Sequence, residues 1–334
     1  MKLLLFFFTI SLLLPTNPVF ASAYTMIKAD GSSTVFPITE AVSEEFQHST
    51  KGDIKVTVGI SGTGGGFKKF CRNEIDIQNA SRPILKAEMA NCKKTDVQYF
   101  ELPIGFDAIA IVVNPKNTWM NSITADELKK IWQASSQNTV MKWSDVNPKW
   151  PNEKLKLFGA GSDSGTFDYF TEAVNGKSKS SRGDYTASED DNTLVLGVSN
   201  DHYALGYLPL SYYEGNKKKL KLLGVVGGEK APKKIAILPS EKTVIDGTYY
   251  PLSRPIFIYV NAKSYTRKEV KDYVDFYLKN AFTLIPQVNY VPLPKTSYEI
   301  GLKNLAKGKK GTVFGGEAQI GMTIEKILKK EASL

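Results

Sequence analysis

Short runs rich in apolar and β-branched residues alternate along this chain with longer stretches whose apolar positions recur at helical spacing. "YTMIKAD" reads as a strand. "GSSTVFPITEAVSEEF" after it places Ile38, Ala41, Val42 and Phe46 on one helical face, behind Pro37 in the first turn. "DIKVTVGI" is the next strand, followed by "SGTGGG" and a helix carrying Phe67, Phe70 and Cys71. "ELPIGFDAIAIVVN" is a long apolar strand region, and "SITADELKKIW" predicts a helix with Thr124 as N-cap and Glu127 at the capping-box position. "KLKLFGA" predicts a strand, and "GSDSGT" leads into a helix with Phe167, Phe170 and Val174 on one face. Towards the end, "SRPIFIYV" predicts a strand. "TRKEVKDYVDFYLKN" predicts a helix with Val270, Tyr273, Val274 and Tyr277 apolar, and "AQIGMTIEKILKK" a last helix. The alternation argues an α/β fold with a largely parallel sheet.

The first residues stand apart from this pattern. One lysine, an apolar run from Leu3 to Leu14 and a small-residue end at Ala21-Ser22-Ala23 make a secretory signal peptide over residues 1–23. The run is too short to span a bilayer and no later segment is long enough, so the expected product is exported, with no direct membrane insertion. No cysteine stands near the cleavage site to carry a lipid. The roughly 310 residues that remain exceed what one core usually holds, which predicts two lobes.

Lysine and arginine total 43 against 34 acidic residues, a net charge of +9. Clusters at Lys217-Lys218-Lys219, Lys233-Lys234 and Lys307 to Lys310 read as solvated loops, or as a field that draws in anions. No element interleaves basic residues with stacking aromatics, so no nucleic-acid partner is expected. Cys71 and Cys92 are expected to pair in an oxidising compartment, closing a loop of about 20 residues. With two widely separated histidines, His48 and His202, they supply no zinc site, and no metal or cofactor is expected.

Three segments share one plan, a strand, then a loop of Ser, Thr and Gly, then a helix. They are Gly31-Ser32-Ser33-Thr34, Ser61-Gly62-Thr63-Gly64-Gly65-Gly66 and Asp163-Ser164-Gly165-Thr166. A helix start presents unpaired N–H groups and the positive end of the macrodipole, so it favours an anion. Glycine admits close approach of the backbone, and hydroxyls add donors. In open α/β sheets ligands bind beyond the strand carboxyl ends. "GISGTGGGF" lacks the Lys-Ser/Thr of a P-loop, and no dinucleotide fingerprint is present. The expected ligand is a small oxyanion without a base.

Asp-Ser-Gly-Thr at Asp163 is also the signature of an aspartic protease, which shares one proton between two carboxylates. Here it occurs once, in a helical context, and no serine-hydrolase elbow is present. The expectation is a protein that is not an enzyme.

The segments "DGSSTVFPITEAV", "SGTGGGFKKFC", "DIQNASRPI", "NPKNTW", "GSDSGTFDYF", "SEDDN" and "YPLSRPIFIYV" together resemble the periplasmic phosphate-binding proteins of phosphate ABC transporters. The likeness is strongest to the SphX-like branch of the PstS family and runs over nearly the whole mature chain. It implies a two-lobed, type II periplasmic-binding-protein fold, each lobe a mixed, mostly parallel sheet flanked by helices, with the ligand in the cleft. Lobe 1 would comprise residues 24–104 plus 252–334, and lobe 2 residues 105–251. The implied partners are inorganic phosphate and the permease and ATPase subunits of the transporter, met by a periplasmic monomer. Carried over by position, the first loop contributes Ser33, Thr34, Val35 and Phe36, the second Thr63 and Gly64, and the third Ser164, Gly165 and Thr166.

Two positions depart from the family pattern. The aspartate that accepts the phosphate proton after an Ala-Ser pair is replaced by Arg82, after Ala80-Ser81, and the arginine before the Ser-Gly-Thr is absent near Ala160. Arg82 is therefore the expected anion ligand, its planar fork matching two oxygens; Arg254 in "LSRPIF" competes for the role but reads rather as a structural arginine between lobes. Asp163 is the favoured proton acceptor, with Asp107, Asp190 and Asp191 as alternatives. A fixed carboxylate would reject sulfate, which has no proton to donate. The expected function is capture of phosphate for a permease. Sulfate or phosphonate binding, a phosphoester hydrolase or protease, and an adhesive role are the alternatives.

Overall fold

The computed structural model describes residues 25–317 and 319–333, so the expected signal peptide lies outside the described residues. The main sheet orders its strands β2-β1-β3-β8-β4-β7-β5-β6. In chain order these are β1 (Thr25–Gly31), β2 (Ile54–Val58), β3 (Ile77–Ala80), β4 (Tyr99–Val113), β5 (Lys156–Ala160), β6 (Thr186–Ser188), β7 (Ala204–Pro209) and β8 (Ser253–Asn261). Helices α1 (Phe36–Ser49), α2 (Gly62–Phe70), α3 (Lys86–Lys94), α4 (Ala125–Trp132), α5 (Gly165–Asn175), α6 (Asp191–Asn200), α7 (Lys268–Gln287), α8 (Lys295–Ala306) and α9 (Ile324–Ala332) surround it.

The expected parallel character holds in the outer pairs and fails in the middle. β1 pairs in parallel with β2 and β3, and β5 with β6 and β7. β8 runs antiparallel to both β3 and β4, and β4 antiparallel to β7. The reason is β4 itself. Its first residues, Tyr99 to Ala108, pair with β8, and Ile109 to Val113 pair with β7, so one strand belongs to both halves of the sheet. All fifteen of its residues are buried, as a strand covered on both faces requires. The chain leaves the first half along β4 and returns along β8, and strands that carry opposite traffic side by side run antiparallel.

The helices form where the periodicity predicts them. Ile38, Val42 and Phe46 turn inward from α1, and Val270, Tyr273, Val274 and Tyr277 from α7, where Phe46 and Tyr273 meet edge to face at 5.1 Å. In α4 the capping box closes as expected. Thr124 Oγ1 accepts the Glu127 amide at 3.1 Å while Glu127 Oε2 accepts the Thr124 amide at 2.9 Å. The last helix is shorter than its sequence pattern, beginning at Ile324 rather than at the preceding "QIGM", where Gly321 takes a positive φ of 66°. In the second half Phe170 of α5 stacks on Tyr207 of β7 at 3.9 Å, seating that helix on the sheet. Cys71 and Cys92 are joined in a disulfide that ties the end of α2 to α3.

Candidate functional site

All three Ser/Thr/Gly loops follow strand ends and open α1, α2 and α5, and they converge between the two halves of the sheet. Ser32 Oγ donates to Ser81 Oγ at 2.9 Å, and Ser81 Oγ lies 3.1 Å from Thr63 Oγ1. Thr34 Oγ1 of the first loop lies 3.1 Å from Thr166 Oγ1 of the third. The Gly64 amide of the second loop donates to Asp163 O, at 2.9 Å. Ser32, Ser33, Thr34, Thr63, Ser81, Ser164 and Thr166 are all buried. Hydroxyls are rarely gathered in such number away from water without polar work to do.

Glycine permits the approach at two positions. A Cβ on Gly165 would stand 2.4 Å from both Ser81 Oγ and Thr63 Oγ1, so only a bare backbone lets α5 start against the second loop. Gly62 combines a φ of +73° with a Cβ position 2.5 Å from Asp163 O. Both glycines lie on the surface where the halves touch.

Arg254, from β8, sits at the centre with no exposure. Nη2 donates to Thr166 Oγ1 at 2.8 Å and to Thr34 Oγ1 at 3.2 Å, while Nη1 donates to Gly165 O at 2.9 Å. Asp107 of β4 is its counter-ion, with Oδ2 at 2.9 Å from Nη2 and 3.1 Å from Nε. Burial pushes the Asp107 carboxyl up and the Arg254 charge pulls it back. At the start of α6, Asp191 is 2 % exposed and its Oδ2 has no hydrogen-bond partner among the described residues. Burial pushes Asp191 up to about 7, against a hydrogen bond with Ser33 and with the Asp107 charge adding to the rise.

Two expectations need correction. Arg82 does not offer its fork to the cleft. Glu88 takes Nη1 and Nη2 at 2.8 Å each, Asp168 takes Nε at 2.6 Å, and Pro83 O takes Nη1 at 3.1 Å. Burial works against this charge, but Glu88 and Asp168 outweigh it and hold the guanidinium above its ordinary value. Asp163, expected as proton acceptor, faces outward instead. Its side chain is 39 % exposed and pairs with Lys68 at 3.0 Å on the cleft rim. Among the other expected donors, the amides of Val35 and Phe36 turn back to Ser32 O at 3.2 and 3.0 Å, and the Thr166 amide is capped by Ser164 Oγ at 3.1 Å. Asp190 caps α6 through the Asn192 amide at 2.9 Å.

The convergence thus contains Ser33, Thr34, Thr63, Gly64, Ser164, Gly165 and Thr166, with Ser32, Ser81, Asp107, Asp191 and Arg254 around them. Ser32 and Ser81 have a signal in the sequence, since they stand beside Ser33 and Arg82. Arg254 reads from the sequence as the lesser candidate, because an arginine within a strand looks the same whether it serves packing or a ligand. Among the described residues no group of three or more His, Cys, Asp or Glu is placed to hold a metal ion, and no helix is long and apolar enough to cross a membrane.

Comparison with known proteins places this architecture. Residues 18–281 match the family model of a PBP superfamily domain. The chain is 49 % identical over 308 residues to protein SphX of Synechocystis, covering 92 % of this chain and 90 % of that one. It is 38 % identical to the phosphate-binding protein PstS of Staphylococcus saprophyticus, covering 81 % and 82 %. A possible phosphate-binding protein from Planctomyces limnophilus shares 46 % identity at a TM-score of 0.62, covering 86 % of this chain and 99 % of that one. A phosphate-bound putative transporter substrate-binding protein from Clostridium perfringens, at 22 % identity, covers 81 % and 100 % with a TM-score of 0.64 and shares the two-lobed fold.

Proposed function

The chain belongs to the PBP superfamily, among the SphX and PstS phosphate-binding proteins, and from that premise we propose that it captures inorganic phosphate between two lobes for an ABC transporter. The observation that carries the reading is Arg254, buried and in contact with Thr34 Oγ1 and Thr166 Oγ1 at once. It supports a tetrahedral anion docking where the first and third helix starts meet.

In this reading the hydroxyls of Thr34, Thr63, Ser81 and Thr166, which here bond to one another, rotate to donate to the anion. Hydroxyl rotors reorient at little cost, so one set of groups serves both arrangements. The amides of Ser33, Gly165 and neighbouring residues add partial positive charge at the helix starts. Arg254 supplies the full charge, with Asp107 holding its fork in place. Asp191 accepts the proton that phosphate carries and sulfate lacks. Arg82 and Asp163 do not touch the ligand.

Lobe 1 is residues 24–104 plus 252–334 and lobe 2 residues 105–251, with the chain crossing between them within β4 and again just before β8. The signal peptide takes the protein to the periplasm, where it acts as a monomer without enzymatic activity and hands its ligand to a permease coupled to an ATPase. The test is calorimetric titration with phosphate in the presence of excess sulfate. Undiminished phosphate binding supports the reading, and competition by sulfate or no binding at all overturns it.

A further inference from the structure

Arg82 is a buried charge that the anion site does not use. It is 2 % exposed, and it holds two carboxylates of different origin. Glu88 belongs to α3, six residues on, and takes both terminal nitrogens in a bidentate pair at 2.8 Å. That pair, with the bond to Pro83 O, fixes the guanidinium to its own side of the cleft whatever the other side does. That pair does not engage Nε, which reaches Asp168 Oδ2 at 2.6 Å on α5.

The placement of Asp168 is informative. It stands three residues after Gly165, so the two share a face of α5. Gly165 on that face meets Thr63 and Ser81, and Asp168 meets Arg82. Arg82 also lies 5.8 Å from the Phe67 ring, on the helix whose first turn carries Thr63. One guanidinium thereby joins the second loop's helix to the third loop's helix. Asp168 is 1 % exposed, its Oδ1 has no hydrogen bond among the described residues, and its nearest other cation is Lys179 at 3.8 Å. With Arg82 removed and the cleft closed, this buried carboxylate would keep only the distant Lys179, which is unfavourable.

We infer that Arg82 and Asp168 form an inter-lobe clamp, a positioning pair that seats the start of α5 on the second loop and so sets how long the anion is retained. The inference rests on the two-lobe phosphate reading above. Of the bonds Arg82 makes, opening the cleft breaks only the one from Nε to Asp168 and lets both groups hydrate, while Glu88 keeps Arg82 aimed for the next closure. Charged pairs that form late in closure act on dissociation more than on encounter. The clamp therefore governs release.

Arg82→Gln, Asp168→Asn and the double variant test this, with phosphate association and dissociation followed by stopped-flow fluorescence. Each single variant is expected to raise koff at least about tenfold with kon nearly unchanged, and the double variant is expected to be no worse than the poorer single one. A fall in kon with koff unchanged, additive losses, or wild-type behaviour of Asp168→Asn would overturn the clamp. Asp168→Asn keeps the side-chain shape, so the test survives if Arg82→Gln fails to fold. Both cysteines are disulfide-bonded, so spin labels can be placed at Glu44→Cys and Lys149→Cys on the two halves. The closed-distance population is expected to shrink in either variant with saturating phosphate. If wild type binds no phosphate, the functional reading fails. The clamp is then judged on the label distances without ligand, where an unchanged distribution on Asp168→Asn overturns it.

Discussion

Thr34 Oγ1 and Thr166 Oγ1, 132 residues apart in the chain, stand 3.1 Å from each other, and Arg254 Nη2 donates to both. One hydroxyl hydrogen lies in the bond between them, and the other is free to turn elsewhere. Their meeting point is where an oxyanion gains the most from closure, because each bond strengthens as water leaves.

Arg254 is expected to be indispensable. Arg254→Ala removes the ligand charge and leaves Asp107 buried without its counter-ion. Phosphate affinity should fall by more than about a hundredfold by calorimetry, and stability by about 3–5 kcal/mol in denaturant titration. Arg254→Lys should recover part of the stability and little of the binding, because an ammonium cannot span Thr34, Thr166 and Asp107 together.

Arg82→Ala provides the contrast. A direct contact and a clamp would both show in retention, so the partner decides: if Arg82 acts through Asp168, koff should rise alike in Arg82→Ala and Asp168→Asn. A raised koff in Arg82→Ala with wild-type koff in Asp168→Asn would return Arg82 to the ligand shell.

Gly165→Ala should weaken phosphate binding by about 1–3 kcal/mol, the cost of an overpacking change. The added methyl would meet Thr63 and Ser81 on the other side of the cleft, at 2.4 Å. The ligand-free melting temperature should change less than the affinity, since the clash lies between the halves.

The pH dependence of stability should carry the mark of Asp191. Its carboxyl is raised to about 7 in the fold, chiefly by burial, from an ordinary value of 3.8. A raised carboxyl makes the folded state bind more protons than the unfolded one. Its contribution is complete below the unfolded value and is lost as pH climbs towards 7. Glu101, buried and also raised to about 7, acts in the same sense. Melting temperatures from pH 4 to 8 should therefore decline less steeply in Asp191→Asn than in wild type. The same variant should lose discrimination against sulfate; selectivity equal to wild type would remove Asp191 from the site.

Reduction of Cys71–Cys92 should cost about 3 kcal/mol of stability by the loop-entropy account. Thermal melts with and without a thiol reductant measure it, and an unchanged midpoint would show the bridge to be dispensable.

What could be read along the chain was whatever depends on neighbours a few residues apart. Helical periodicity around Ile38, Val42 and Phe46, the Thr124–Glu127 box and the Ser/Thr/Gly starts of α1, α2 and α5 are set by short-range hydrogen bonds and by one face meeting a core. Those signals located three donor-rich helix starts. The division of labour among the charges was decided by the tertiary structure. Arg82 finds Asp168 across 86 residues and Arg254 finds Thr34 across 220. Asp163 swings to Lys68 across 95 residues, and Asp191 is left in the interior. A charge is stabilised by whatever stands within a few ångströms of it, and spacing along a chain does not encode that distance once the chain crosses between halves twice.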